Sequence, residues 1–288
     1  LVKWFAADSD WACEFCSGVG RDITKWKRAN VAHVTVIEAD LEKIHKLIQR
    51  CMDRKVSPFP LVLRFDLTQN LFPWDEDLTQ QSCFIAPPDQ APSGVLPEAL
   101  TEQHRGRYSV VSCFQGFDES FSSEERANTL IANAAQLLKD GGVFIGIIPD
   151  SSVLFTRSNK PDVEKKGVIE VGECEISLPQ GMSAQSAFES TFHSLPFLLR
   201  NKSGKGEPIP LFLVHCPTFI KLCARNGLLM VEMQNMSKFY EEHKKVHETT
   251  LRRILGSAKV HSRHIQRLEL FTTFIFRKTN VSVPCNKP

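Results

Sequence analysis

Trp11-Ala-Cys-Glu-Phe15-Cys16-Ser17-Gly18-Val19-Gly20-Arg21-Asp22 is a short apolar run that breaks into a turn of small residues. Asp22–Arg28 then reads as helical. A strand that feeds a glycine turn and a helix is the opening unit of a parallel α/β sheet. Working outward, His33–Glu38 is β-branched and ends in an acid, as a second strand. Leu41, Ile44, Leu47, Ile48 and Cys51 recur at helical spacing, with Lys43, Lys46 and Arg50 on other faces. Phe59–Phe65 reads as a third strand, punctuated at its start by Pro58 and Pro60. Tyr108–Phe114 continues the alternation as a strand and Ser123–Leu138 as a helix. Ser122 or Ser123 can cap that helix, and Glu124 and Glu125 occupy the first turn, where the helix dipole favours acids. Asp140-Gly141-Gly142 is expected to stop it before the buried strand Val143–Ile148. The five prolines between Phe72 and Arg107 mark a flexible insertion, 73–106.

Beyond Pro149-Asp150 the pattern is less regular. Val168–Leu178 reads as a strand pair, Phe188–Leu199 as mixed, and Arg200–Pro208 as a basic, glycine-containing loop. Regularity returns with Thr218–Asn226 as a helix ended by Gly227, then Leu228–Met233 as a strand. Ser237–Leu255 reads as one amphipathic basic helix and Leu268–Phe276 as a final strand. No internal repeat is present.

Composition narrows the classes. The chain has 288 residues, 42% of them hydrophobic and 24% charged, which supports a sizeable core and excludes wholesale disorder. Thirty-five Lys and Arg against 33 Asp and Glu leave a net charge of +2, so any RNA contact must come from a local patch. The longest apolar runs, such as Val143–Ile148 and Ile209–Val214, fall far short of the roughly 18 residues of a membrane span. The start, Leu1-Val-Lys-Trp-Phe, lacks Met and a signal layout and reads as a fragment or excised domain. Nine cysteines without regular spacing argue against a disulfide framework and for a reducing compartment, cytosol or nucleus.

The chemistry concentrates at strand ends. Gly18 and Gly20 let the backbone approach a ligand closely at the carboxyl edge of the sheet. Glu38, closing the next strand, can accept both hydroxyls of a ribose, which suits an adenosine-containing ligand. A nicotinamide cofactor and S-adenosylmethionine both fit that pattern. Arg21-Asp22 in place of a third glycine counts against the pyrophosphate of the former, and S-adenosylmethionine has none. Asp66, past the third strand, is placed to reach an adenine amino group, and Phe114, ending the fourth, to line the methionine side. Any one of these features alone is an ordinary turn glycine or edge residue; four at successive strand ends favour a cofactor. Cys13-x-x-Cys16 has no second cysteine pair at ligand spacing and reads as buried structure rather than a zinc site. The segment from His243 to Arg267, with Lys244, Lys245, Arg252 and Arg253, is either a solvated helix face or an RNA or triphosphate patch. Lys202 and Lys205, in a glycine-containing loop, fit further phosphate contacts and a plain surface loop equally well. Of Trp11, Trp26 and Trp74, all able to stack on a base, Trp26 reads as core.

Gly18-x-Gly20-x-Asp22-x-x-Lys25-Trp26 resembles the glycine-rich loop of the mRNA cap guanine-N7 methyltransferases. The resemblance continues through Val111-Ser112-Cys113, Phe121, Asn133-Ala134, Leu137–Gly146 and Ile148-Pro149-Asp150-Ser151. It runs on through Phe212–Pro217 and Phe239-Tyr240-Glu241-Glu242 to Phe274–Lys278, nearest to the divergent second plant-type branch. It implies a single α/β domain over residues 1–288, with a mostly parallel seven-stranded sheet of the class I S-adenosylmethionine-dependent type. An insertion after the fifth strand, residues 151–210, would form part of the substrate face.

The implied activity is methyl transfer from S-adenosylmethionine to N7 of the guanosine 5'-cap of mRNA, without a metal and in the nucleus. Capped RNA and other capping-machinery proteins are the implied partners, with no membrane. Gly18 and Gly20 would line the methionine part, with Cys16 and Ser17 in the same loop, Glu38 at the ribose and Asp66 at the adenine region. Phe114 stands where the family usually has a Gln, and the family's Lys before the first strand would lie upstream of Leu1. On the substrate side, Asp118-Glu119 replaces a His-Tyr pair, Leu211 replaces a Glu four residues before His215, and Phe271 replaces a Tyr. The loop lacks the family's first glycine and its lysine. No catalytic base is implied, because the reaction rests on alignment of nitrogen, methyl and sulfur. Lost cap-orienting groups therefore weaken alignment without removing a reagent. The alternative implied by these departures is a weakened or non-catalytic homologue that binds the cofactor or assists a capping partner.

Overall fold

In this computed structural model the described residues are 1–72, 74, 102–160, 163, 167–177, 195–202, 206–255 and 262–279. Most of the expected insertion 73–106, the segment from Phe188 to 194, and Leu178, Lys205, Lys259 and His261 lie outside them, as do the side chains of Arg263 and His264.

The alternation expected from the first third is present. Strands β1 (Trp11–Phe15), β2 (His33–Glu38), β3 (Leu61–Arg64), β4 (Tyr108–Cys113) and β5 (Leu138–Pro149) are mutually parallel neighbours. Two further strands, β10 (Leu228–Asn235) and β11 (Phe271–Lys278), complete a seven-stranded sheet of order β10-β11-β5-β4-β1-β2-β3. β11 runs antiparallel to both of its neighbours. The order reverses between β1 and β4, so the carboxyl ends of these two strands flank the crevice where open α/β sheets bind ligands.

Both faces of the sheet are covered, as parallel strands require. Cys13 and Phe15 of β1 point into one core with Val111, Phe144 and Phe274, beneath α4 (Glu124–Leu137) and α6 (Cys216–Arg225). Ala12 of β1 points into the other, with Trp26 of α2 (Ile23–Arg28) and Ile44 and Leu47 of α3 (Leu41–Asp53). The short α1 (Val2–Ala6) adds Val2 and Ala6 to that second layer. Trp26 is fully buried, as its core reading requires.

Between β5 and α6 lies a separate antiparallel sheet of β6 (Val168–Val171), β7 (Cys174–Ser177), β8 (Pro196–Asn201) and β9 (Ile209–Phe212). The expected strand pair at 168–178 is its first hairpin. With α5 (Ser151–Ser158) it encloses a third core of Leu154, Ile169, Ile176, Phe197, Leu199 and Leu270.

Four expectations from the sequence need correction. The helix at 123–138 ends at Leu137, before Asp140-Gly141-Gly142. The glycines sit in a bulge of β5, where Tyr108 faces Leu138 but Val110 already faces Val143. Lys278 Nζ donates to the carbonyls of Ala135 and Leu138 and so caps the helix end. The basic helix 237–255 is two helices, α7 (Met236–His243) and α8 (Glu248–Leu255). Val246, the single aliphatic residue in the linking turn, is 78% exposed, and His247 of the turn meets Trp4 of α1, 5.8 Å between ring centroids. Leu268 closes α9 (Ser262–Leu268) rather than opening the last strand, which starts where Phe271 pairs with Pro149. The third strand starts at Leu61, not Phe59, because Pro58 and Pro60 supply no ladder donor.

Candidate functional site at the carboxyl edge of the sheet

The turn after β1 is built on three left-handed residues, Cys16 (φ +51°), Gly18 (φ +55°) and Gly20 (φ +70°). Gly20 must be glycine for a second reason, since a Cβ there would lie 2.8 Å from Leu47 Cγ of α3. The Ser17 N–H donates to Ile37 O and the Gly20 N–H to Ser17 O. Glu38, 7% exposed, locks the turn: its Oε2 accepts from the Gly18 N–H at 2.7 Å. Its Oε1 accepts from the N–H groups of Ala39 and Asp40, each at 3.1 Å. A buried carboxylate held by three backbone donors is fixed in place at the end of β2. Ser17 Oγ is buried and has no hydrogen-bond partner among the described residues. An unpartnered hydroxyl in the turn is a polar group that a bound ligand can satisfy.

Beneath the turn, Glu14 Oε2 accepts from Trp26 Nε1 at 2.5 Å and is 3% exposed. Burial, reinforced by the nearby Asp22 carboxylate, pushes Glu14 up to about 8. Cys13 is a buried thiol within β1, as its strand position predicts. Among the described residues no group of three or more His, Cys, Asp or Glu is arranged to hold a metal ion.

Asp66, just past β3, accepts from the Thr68 N–H at 2.9 Å and the Thr68 hydroxyl at 2.7 Å. Burial pushes its carboxyl up, but these bonds and the Arg126 guanidinium outweigh it and leave the carboxyl below its ordinary value. Phe114, the residue after β4, is half-buried; it packs on the second core and lies 6.0 Å from Lys25 Nζ. Gln115 is exposed beside the turn, its Oε1 3.5 Å from where a Cβ on Gly18 would stand. Sequence reasoning missed Gln115. The available signal was its place one residue beyond the position where the resemblance puts a Gln.

The residues expected on the substrate side divide. Asp118 is 5% exposed, and its Oδ2 accepts from the Phe212 N–H of β9 at 3.1 Å. Burial pushes its carboxyl up to about 6. Glu119 beside it is exposed. Leu211 and Phe271 both pack against the third core. His215, at the N-cap of α6, shares a 2.7 Å hydrogen bond between its Nδ1 and Thr218 Oγ1. The structure thus gathers Cys16, Ser17, Gly18, Gly20 and Glu38 into one turn, while Asp118, Leu211 and Phe271 border the four-stranded sheet.

Two solved structures share this architecture at low identity. The CcbJ methyltransferase from Streptomyces caelestis aligns with a TM-score of 0.54 at 14% identity, covering 96% of this chain and 86% of that one. An S-adenosylmethionine-dependent methyltransferase from Clostridium acetobutylicum aligns with a TM-score of 0.50 at 11% identity, covering 96% and 87%. By sequence, the mRNA cap guanine-N(7) methyltransferase 2 of Oryza sativa is 30% identical over 96% of this chain and 77% of its own length. The corresponding Arabidopsis thaliana protein is 30% identical over 60% and 52%, and the Drosophila melanogaster mRNA cap guanine-N(7) methyltransferase 24% over 90% and 55%. Against these last two relatives the chain spans little more than half their length. Residues 7–278 match the family profile described as the mRNA (guanine-N(7))-methyltransferase domain, and the chain belongs to that family.

Proposed function

We propose that this chain transfers the methyl group of S-adenosylmethionine to N7 of the guanosine 5'-cap of mRNA. The observation that carries the reading is the locked turn, in which Glu38 holds the Gly18 N–H at the switch point of a family-matched sheet. The residues present fit the cofactor: Ser17 Oγ is buried and unpartnered, and Glu38 and Asp66 are fixed acceptors at the ends of β2 and β3. S-adenosylmethionine supplies a methyl group already activated on a sulfonium.

The chain's own task is positional. Glu38 offers its remaining lone pairs to ribose hydroxyls, and Asp66 lies toward the adenine end. Gln115, Phe114, Cys16 and the glycines border the methionine part. Guanine N7 carries its own lone pair, so no residue need remove a proton, and rate comes from holding the reacting atoms in line. The four-stranded sheet within residues 151–210, with β9 running to Phe212, forms the substrate face. Asp118 bolts that face to the end of β4 by its bond to the Phe212 N–H. Glu119 and His215 are the polar groups toward the cap, while Leu211 and Phe271 pack against the third core. Capped RNA is the substrate, capping-machinery proteins are partners, and the nucleus is the place of action. No described helix is long and apolar enough to cross a membrane.

The test is methylation of capped RNA with labelled cofactor, with guanosine-capped and uncapped RNA compared. Label in N7-methylguanosine from the capped RNA alone supports the reading. Cofactor binding by calorimetry without any label transfer supports the non-catalytic alternative.

A further inference from the structure

Cys16 stands where the backbone favours glycine. Its φ of +51° lies in the left-handed region, where a side chain costs strain. The neighbouring loop makes room for it: a Cβ on Gly116 (φ +72°) would lie 3.3 Å from Cys16 Cβ and 3.7 Å from its Sγ. Cys113, the last residue of β4, donates its thiol to Gln115 O at 3.3 Å, and Cys16 packs against the core that contains Cys113. Both are free thiols; Cys16 is partly exposed and Cys113 is buried. One thiol just past β1 and one ending the adjacent parallel β4 therefore share a core at the base of the glycine turn, the first partly open to solvent and the second enclosed.

We propose that Cys16 and Cys113 are an oxidation site, in which a peroxide drives a disulfide that pins the glycine turn to the end of β4 and weakens cofactor binding. In the first step the Cys16 sulfur attacks hydrogen peroxide, the O–O bond breaks, and a sulfenic acid and one water form. In the second, the Cys113 sulfur attacks the Cys16 sulfur, the S–S bond forms and the S–O bond breaks. The departing hydroxide takes the Cys113 proton as a second water. Two thiols lose two electrons in total and the peroxide gains them.

The roles follow from exposure. Burial raises the Cys113 thiol well above its ordinary value, which suppresses its thiolate and leaves Cys16 to meet the oxidant. The consequence follows from position. Cys16 immediately precedes Ser17 and Gly18, whose N–H is held by Glu38. A disulfide demands its own dihedral geometry, and rotating Cys16 to meet it drags the turn. The functional half of this inference rests on the cofactor reading above; the thiol chemistry does not.

The full chain is treated with hydrogen peroxide, its remaining thiols are blocked, and its peptides are mapped by mass spectrometry. S-adenosylhomocysteine affinity is measured by calorimetry before oxidation, after it, and after dithiothreitol. A Cys16–Cys113 linked peptide is expected, with affinity falling roughly tenfold or more and recovering on reduction. Cys113→Ala, or Cys113→Ser should the first fold poorly, removes the link and leaves the reduced protein's affinity unchanged. Oxidation of Cys16 without a link to Cys113, or a link that leaves affinity unaltered, overturns the proposal. A reduced protein that fails to bind S-adenosylhomocysteine overturns the cofactor reading, and the linked peptide then decides the thiol pair by itself.

Discussion

The glycine turn and the four-stranded sheet solve opposite problems. Around the turn, polar groups are buried on purpose: Glu14 and Glu38 are 3% and 7% exposed, and Ser17 Oγ is enclosed without a partner. Around the small sheet, the positions where the family resemblance implies polar groups hold Leu211 and Phe271, which pack with Phe197, Leu199 and Leu270. Buried polar groups cost stability unless they are answered; Trp26 answers Glu14 and three backbone N–H groups answer Glu38, which leaves Ser17 Oγ as the group that the proposed cofactor would satisfy. Apolar replacements stabilise instead, so the small sheet has taken those two positions into its own core. Substitutions at the turn therefore act first on ligand affinity or pH response. Substitutions at the sheet act first on the fold.

The largest expected effect is on Glu14. Its folded value of about 8 lies above the ordinary 4.5 because burial disfavours the anion. The native state then binds more protons than the unfolded chain between those limits. Stability is highest below about 4.5 and falls as pH rises through 8. Glu14→Gln keeps an acceptor for Trp26 Nε1 and removes the titration. From about pH 5 to about pH 8.5 the wild type should lose on the order of 2–4 kcal/mol relative to the variant, read by urea unfolding at each pH. Parallel pH curves would mean that Glu14 is not held protonated, and would break the contrast on the turn's side.

Next in size is Glu38. Glu38→Ala leaves the N–H groups of Gly18, Ala39 and Asp40 without their acceptor. Affinity for S-adenosylhomocysteine should fall by about 1–3 kcal/mol, measured by calorimetry, with a smaller loss for Glu38→Gln. Equal affinity in wild type and Ala variant would take Glu38 out of the ligand site and leave it only a loop clamp.

A smaller effect is expected across the sheet. Leu211 pairs with Phe197 and packs on the third core while remaining half-exposed. Leu211→Glu, which restores the residue type implied by the family, should lower stability by roughly 1–2 kcal/mol in thermal unfolding. A variant that methylates capped RNA faster and melts unchanged would show that position 211 faces the guanine, and would erase the contrast.

The order of strands and helices could be read because the parallel sheet leaves a plain trace: apolar runs, glycine turns and acids at strand ends. Glu38 and Gly18 were legible for that reason. Other features depended on tertiary packing with no local signature. Asp118 and Glu119 read as one acidic pair, yet Asp118 turns inward to the Phe212 N–H and Glu119 faces solvent. A bond across 94 residues has no trace in local periodicity. The break between α7 and α8 was missed because charge pattern alone suggested a continuous helix, whereas Val246 between them turns out to solvent. Gln115 escaped because its importance lies in a through-space approach to Gly18.

The basic segment is a surface that belongs to neither region. Lys244 pairs with Glu241, and Arg252 NH2 lies 2.6 Å from Glu248 Oε1, both pairs at exposed positions. Exposed pairs of this kind contribute little and exchange readily, so they leave the cations available to phosphate. Should RNA cross α7 and α8, replacing Lys244, Lys245, Arg252 and Arg253 by Gln abolishes the counterion release that each cation brings about. The plot of log affinity against log salt should then flatten by about 0.7 for each phosphate left unneutralised, while S-adenosylhomocysteine binding stays the same. Filter binding of capped RNA across a salt series reads the slope. An identical slope in the variant assigns the segment to solvent and removes it from RNA binding.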